Sequence, residues 1–203
     1  MRLRDGEVGV FKLAAGALMI IAFAAGALVV LPYFTLRNVP PPEGLTQYTD
    51  AQLRGRQSYI ANGCIYCHSQ QPRDPSVAPD MARGWGRPSV PGDYVYDRPH
   101  LLGTMRTGPD LFNIAVRQPS RDWHLGHLYQ PRAYSPGSIM PAFPFLFERK
   151  RGAVAPDEVV VTLPPAFARE GERIVATQEA LDLTAYLLSL DRSYPVRKTS
   201  AAP

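Results

Sequence analysis

Cys64-Ile65-Tyr66-Cys67-His68 places two thiols three positions apart, with an imidazole directly behind the second. This C-x-x-C-H spacing suits thioether attachment of a haem through its two vinyl groups, and it presents His68 to the iron as an axial ligand. A redox-active dithiol and half of a zinc site are the competing readings. The chain has only 2 cysteines, so no second pair completes a zinc site and no disulfide framework exists. Covalent attachment of one haem c at Cys64 and Cys67 is therefore the expectation.

A proximal histidine needs its other ring nitrogen held, and a sixth ligand decides whether the iron transfers electrons or stays open for chemistry. Arg106-Thr107-Gly108-Pro109-Asp110-Leu111 contains a Gly-Pro turn whose Pro109 carbonyl is free to accept the imidazole proton. An ordinary turn before a helix is the alternative. Met140 stands in Ser138-Ile139-Met140-Pro141-Ala142-Phe143, where proline stiffens the backbone that would aim the thioether at the iron; core packing is the usual fate of a methionine. His124 and His127 are three apart in Asp122-Trp123-His124-Leu125-Gly126-His127 and would share a helix face. They suggest a metal pair, but structural or propionate-contacting histidines are preferred. His100, in a loop with Asp97 and Arg98, reads as a surface residue.

Helices must position these groups. The stretch 46–62 has a Thr49-Asp50 start signal and apolar or aromatic residues at Leu53, Tyr59 and Ile60, which predicts a short helix leading into Cys64. Near the other end, Ala176 to Leu190 carries Ala180, Leu183, Leu187 and Leu190 as a 3.6-period stripe. This second helix is expected to pack across the first.

From Leu13 to Phe34 the chain runs 22 residues without a charge, about 33 Å as a helix and enough for a bilayer. The run exceeds the apolar core of a cleaved signal, usually about 7–15 residues, and ends in bulky Leu31, Pro32, Tyr33 and Phe34. An uncleaved anchor is expected. Arg2, Arg4 and Lys12 precede it and only Arg37 closely follows, so the N-terminus is expected in the cytoplasm and the remainder outside. Asn38 to Pro42 reads as a stiff spacer. Small residues at Ala14, Ala15, Gly16, Ala24, Ala25 and Gly26 would permit close packing against another membrane helix.

A chain of 203 residues holds one ordinary domain plus an anchor, and 21 prolines with 16 glycines imply long loops. The net charge of +4 is spread among acidic residues, without the basic stripe and interleaved aromatics of a nucleic-acid surface. No nucleic-acid partner is expected. The fold expected is mainly α, one transmembrane helix followed by a loop-rich haem domain. Its parts are a cytoplasmic N-terminus (1–12), the membrane helix (13–34), an extended linker (35–45), the haem domain (46–191) and a tail (192–203).

The order of helix, C-x-x-C-H, Gly-Pro-x-Leu turn, Met-Pro loop and closing helix over Thr46 to Asp191 resembles class I cytochrome c. A closer likeness is to the monohaem membrane subunit of cbb3-type cytochrome c oxidase, the FixO/CcoO type. It is carried by Gly63-Cys64 through Cys67-His68-Ser69-Gln70, Tyr96-Asp97-x-Pro99 and Arg106 to Leu111, and extended by Trp123-His124-x-x-His127-Leu128 and Met140-Pro141-Ala142-Phe143-Pro144. The chain departs at Gln71-Pro72-Arg73-Asp74, where that family has an apolar-Ile-Arg-Pro stretch. Arg117-Gln118-Pro119-Ser120 replaces its Gly-x-Arg/Lys-Tyr-Ser, and Glu148 to Arg173 looks expanded.

The resemblance implies haem c, Met140 ligation, a catalytic haem-copper oxidase subunit and a sister cytochrome subunit as membrane partners, with a soluble cytochrome as another donor. It implies a bacterial inner-membrane, single-pass protein with a periplasmic haem domain that hands on electrons and does not itself reduce oxygen. The alternatives are the cytochrome c subunit of a nitric oxide reductase, a free-standing tethered shuttle, and an open-iron sensor or peroxidase.

Overall fold

The computed structural model describes residues 9–196. Arg2 and Arg4, which carry the orientation argument, and residues 197–203 of the expected tail lie outside the described residues. The chain divides between Pro41 and Pro42 into two compact units.

Among the described residues the first unit holds one helix, α1, Val10–Leu36, of 27 residues, with an 18-residue window of mean hydropathy 2.5. It is long and apolar enough to cross a membrane, about 40 Å by helical rise. It starts before the predicted span of 13–34 and ends after it, because Lys12 is tolerated in the first turn and Thr35 and Leu36 continue the uncharged stretch to Arg37. Its apolar side chains, Ile20, Phe23 and Leu28 among them, are exposed. Between Gly26 and Val30 the helix widens to a π turn, the Leu31 N–H reaching the Gly26 carbonyl. Pro32 follows directly and has no N–H to give the ladder, which accounts for the slip.

In the second unit short helices separated by long loops are the main regular elements, and the first, α2, spans Asp50–Ala61. Thr49 caps it: the Thr49 hydroxyl accepts from the Gln52 N–H and the Gln52 side chain accepts from the Thr49 N–H. The predicted start signal therefore works as a cap, and residues 46–49 stay outside the helix. Short helices α3 (Ile114–Arg117), α4 (Arg121–Tyr129) and α5 (Pro131–Tyr134) follow a long loop region. Strands β1 (Phe147–Arg151) and β2 (Glu172–Ala176) pair antiparallel, Phe147 opposite Ala176 and Arg149 opposite Ile174. The Glu148 to Arg173 stretch thus becomes a β ribbon whose connecting chain returns alongside β2, with Val161 N–H on the Ile174 carbonyl and Ala176 N–H on the Val159 carbonyl. Because β2 takes Ala176, the last helix, α6, begins two residues later than predicted, at Gln178–Leu188, capped by Thr177.

All four predicted stripe residues, Ala180, Leu183, Leu187 and Leu190, are buried, each buried leucine contributing about 1.5–3 kcal/mol. α6 packs across α2 at Gly55. A Cβ there would overlap the Asp182 carbonyl, so only glycine permits this approach. Around the crossing, Arg54 grips Asp182 through two hydrogen bonds of 2.6 and 3.1 Å, and the Ser58 hydroxyl donates to Glu179 at 2.7 Å. Tyr59 and Tyr186 meet edge to face beneath it, centroids 5.6 Å apart. Beyond the predicted domain end at Asp191, Arg192 is buried and its N–H bonds the Asn113 side chain at 2.8 Å.

Gly55→Ala should therefore cost about 2–4 kcal/mol, the scale of overpacking at a rigid crossing. Denaturant unfolding of the detergent-solubilised chain reads this. Gly103→Ala, where an added Cβ meets nothing within 4 Å, is the control and should change stability by less than about 0.5 kcal/mol.

Candidate functional site

α2 ends at Ala61, and Gly63 in the left-handed region (φ 71°) turns the chain into a single 3-10 turn, Cys64–Tyr66. That turn presents both thiols and the ring after them, the His68 N–H bonding the Cys64 carbonyl at 2.9 Å. Cys64 and Cys67 are free thiols, both half-buried. Burial pushes the Cys64 thiol up to about 11, so it is protonated at neutral pH.

His68 Nδ1 lies 2.7 Å from the Pro109 carbonyl oxygen. The Gly-Pro turn thus places its free carbonyl against the imidazole. Since a carbonyl only accepts, Nδ1 carries the proton and Nε2 is left with its lone pair outward. Burial lowers the His68 pKa, against the opposing effect of the Pro109 bond. A neutral ring with a defined tautomer is the state a metal ligand needs.

Gly108 is the residue sequence reasoning missed. The His68 ring rests against its backbone, and any Cβ at 108 would overlap Cε1, Nδ1 and Nε2. A glycine preceding the carbonyl-bearing proline was the available signal. Tyr59 fixes the neighbouring peptide, its hydroxyl donating to the His68 carbonyl at 2.9 Å.

Around this pair lies a set of buried charges that the sequence did not mark as a group. Asp110 accepts from the Ser69 hydroxyl at 2.6 Å and from the Gln71 and Phe112 N–H groups, both at 2.8 Å. Burial nonetheless raises the Asp110 pKa, those three hydrogen bonds opposing it. Asp80 receives two bonds from the Arg73 side chain at 3.0 Å and one from Arg106 at 2.9 Å. The Arg73 contacts, with Arg106 helping and burial opposing, hold Asp80 well below the usual carboxylate range.

The other predicted residues fall as follows. Met140 is half-buried and packs against the main apolar cluster, its N–H on the Ser138 hydroxyl at 3.2 Å. His124 is buried with Nε2 2.9 Å from the Gln118 carbonyl, a structural role. His127 stacks on Trp123, centroids 4.5 Å apart and planes 9° from parallel. His124 and His127 are thus committed separately, and among the described residues no three His, Cys, Asp or Glu side chains form a metal-binding group. His100 is exposed and edge-on to Tyr94.

These residues fit a haem. His68 is neutral and oriented, the glycine clears its ring, and the two thiols stand one short turn apart. Among the six buried side-chain polar atoms of the described residues that have no partner are Arg117 Nε and His127 Nδ1. Both side chains lie near enough to His68 for charge interaction. An anionic group bound against His68, such as a propionate, would supply what they lack.

Residues 7–164 match the family described as cytochrome C oxidase, mono-heme subunit/FixO. No curated protein matches the chain.

Burial, with His124 and His68 adding to it, pushes His127 down to about 4. An unfolded histidine titrates near 6.5, so between about 6.5 and about 4 the unfolded chain binds the extra proton. Stability is full above about pH 6.5 and should fall by roughly 3 kcal/mol as the pH drops through that window. Unfolding at pH 7 and pH 4.5 checks this: His127→Phe, which keeps a ring on Trp123, should flatten the fall.

Proposed function

The chain belongs to the family of cytochrome c oxidase mono-haem subunits, FixO, and on that premise we propose that it is the electron-input subunit of a cbb3-type haem-copper oxidase. Cys64 and Cys67 would hold one haem c as thioethers, and His68 and Met140 would supply its iron with protein ligands. When bound, the haem supplies one-electron chemistry, its iron alternating between ferrous and ferric. The observation that carries this reading is the His68–Pro109 contact over Gly108, since it prepares an imidazole for metal ligation in a chain with only one C-x-x-C-H.

The chain's own contributions are positioning and electrostatics. Pro109 holds the Nδ1 proton and so directs Nε2 outward. Arg117 and His127 offer donors to the propionate side. Met140, a neutral thioether, would favour the ferrous state and raise the potential. The prolines around it restrict the loop and lower the cost of holding the sulfur in place. Electrons would come from a sister cytochrome subunit or a soluble cytochrome and leave for the catalytic subunit's haems. The charges Arg2 and Arg4 before α1 and Lys12 in its first turn, against Arg37 after it, support a cytoplasmic N-terminus and a periplasmic haem domain.

A reduced-minus-oxidised spectrum of the tagged protein, purified in mild detergent from its native membranes, should show haem c together with haem b, and the complex should consume oxygen. Nitric oxide consumption in place of oxygen would assign the chain to a nitric oxide reductase, and haem c alone would make it a tethered shuttle. Met140→Ala should lower the midpoint potential and open the ferrous iron to carbon monoxide; an unchanged potential removes Met140 from the iron.

A further inference from the structure

Resting on the reading of His68 as the proximal haem ligand, we propose that Asp110 is a positioning residue for it. Its buried carboxylate buckles together the two chain segments that carry the imidazole and the carbonyl on which that imidazole rests.

Segments 67–71 and 105–112 cross without forming a sheet. Three backbone hydrogen bonds join them: Ser69 N–H to the Met105 carbonyl (3.3 Å), Gly108 N–H to Cys67 (2.9 Å) and Leu111 N–H to Ser69 (2.8 Å). Loop segments joined so sparsely open locally far more readily than sheet. Asp110 adds the missing ties. It immediately follows Pro109, as Ser69 immediately follows His68, and the Ser69 hydroxyl donates to its carboxylate at 2.6 Å. One carboxylate therefore links the residue after the ring to the residue after the carbonyl. Its remaining capacity goes to the Gln71 N–H on the first segment and the Phe112 N–H on its own.

The buckle is itself braced. Arg106 lies 3.6 Å from the Asp110 carboxylate, contacts the Ser69 hydroxyl, and donates to the Gln71 carbonyl and to Asp80, both at 2.9 Å. Asp80 is anchored in turn by Arg73 at 3.0 Å. Asp80 and Asp110 are both wholly buried. Placing carboxylates there carries a large desolvation cost, and an apolar cluster would be as stabilising. What an apolar cluster cannot supply is direction: several hydrogen bonds converging on one carboxylate fix the crossing to the tolerance of a hydrogen bond.

That tolerance matters to the iron. The stronger the His68 N–H···O contact, the more electron density the imidazole donates and the more the ferric state is favoured. Loosening the buckle weakens that contact and raises the potential. Removing the negative charge of Asp110 would raise the potential as well, so the test must separate geometry from charge.

Asp110→Asn removes the charge and turns one acceptor into a donor, facing either Ser69 and Gln71 or Phe112, whereas Ser69→Ala keeps the charge and removes one tie. Both are made in the full-length haem-loaded chain. The midpoint potential is read together with hydrogen exchange of the His68 Nδ1 proton, followed by NMR in the diamagnetic ferrous state. The expected result is a retained haem c spectrum, a higher potential in both variants, and Nδ1 exchange faster by roughly tenfold or more, the scale of one lost hydrogen bond. Unchanged exchange in both variants, with or without a potential shift in Asp110→Asn, overturns the proposal. Should Asp110→Asn not accumulate, Ser69→Ala decides by the same two readouts. A wild-type chain without haem c overturns the underlying reading and the proposal with it, whereas normal wild-type haem c with unresponsive variants overturns the proposal alone.

Discussion

The ring of His68 must lie against a stretch of backbone that carries no side chain, with a carbonyl oxygen at hydrogen-bond distance from Nδ1. Gly108 and Pro109 meet both demands at once: the glycine removes the Cβ that would strike the ring, and the proline places its carbonyl at 2.7 Å. Much of the second unit serves that contact. α2 and the left-handed Gly63 deliver the C-x-x-C-H turn from one side. The 105–112 segment must arrive from the other, far along the chain, and it is neither helix nor strand.

Two different kinds of glue hold the unit. Where α2 crosses α6, close packing at Gly55, buried leucines and paired tyrosines do the work, and the free energy is chiefly that of apolar burial. Across residues 69–113 there is little regular structure, and buried Asp–Arg pairs take over: Asp80 with Arg73 and Arg106, and Asp93 with Arg87 at 2.6 Å. Such pairs add little net stability once desolvation is counted. Their value is that a carboxylate with defined donors admits few alternative arrangements, which an irregular loop needs and a helix pair does not.

The first unit follows a different rule. An apolar stretch of this length, long enough to cross a membrane, satisfies its backbone groups within its own segment as a continuous helix. Even Pro32 leaves it unbroken, because widening to a π turn at Gly26–Val30 lets the preceding groups find partners one residue further on.

Local information was enough for a good part of this protein. The apolar run, the Thr49 cap, the stripe along the last helix and the C-x-x-C-H turn each depend on neighbours within a few positions, so the residues alone determined that these elements exist and what chemistry Cys64, Cys67 and His68 can do. Pro109 was legible as a free carbonyl, but whether it met His68 depended on a contact between residues 41 apart in sequence. The β ribbon of Phe147–Arg151 and Glu172–Ala176 was illegible because its pairing partners are distant and β1 is almost wholly charged rather than alternating. Asp80, Arg106 and Asp110 read as ordinary solvated charges, since burial of a charge is decided by what folds over it. The roles of Gly55 and Gly108 were likewise set only by the tertiary structure: a missing side chain matters where another part of the chain must come close, and no local pattern records that approach.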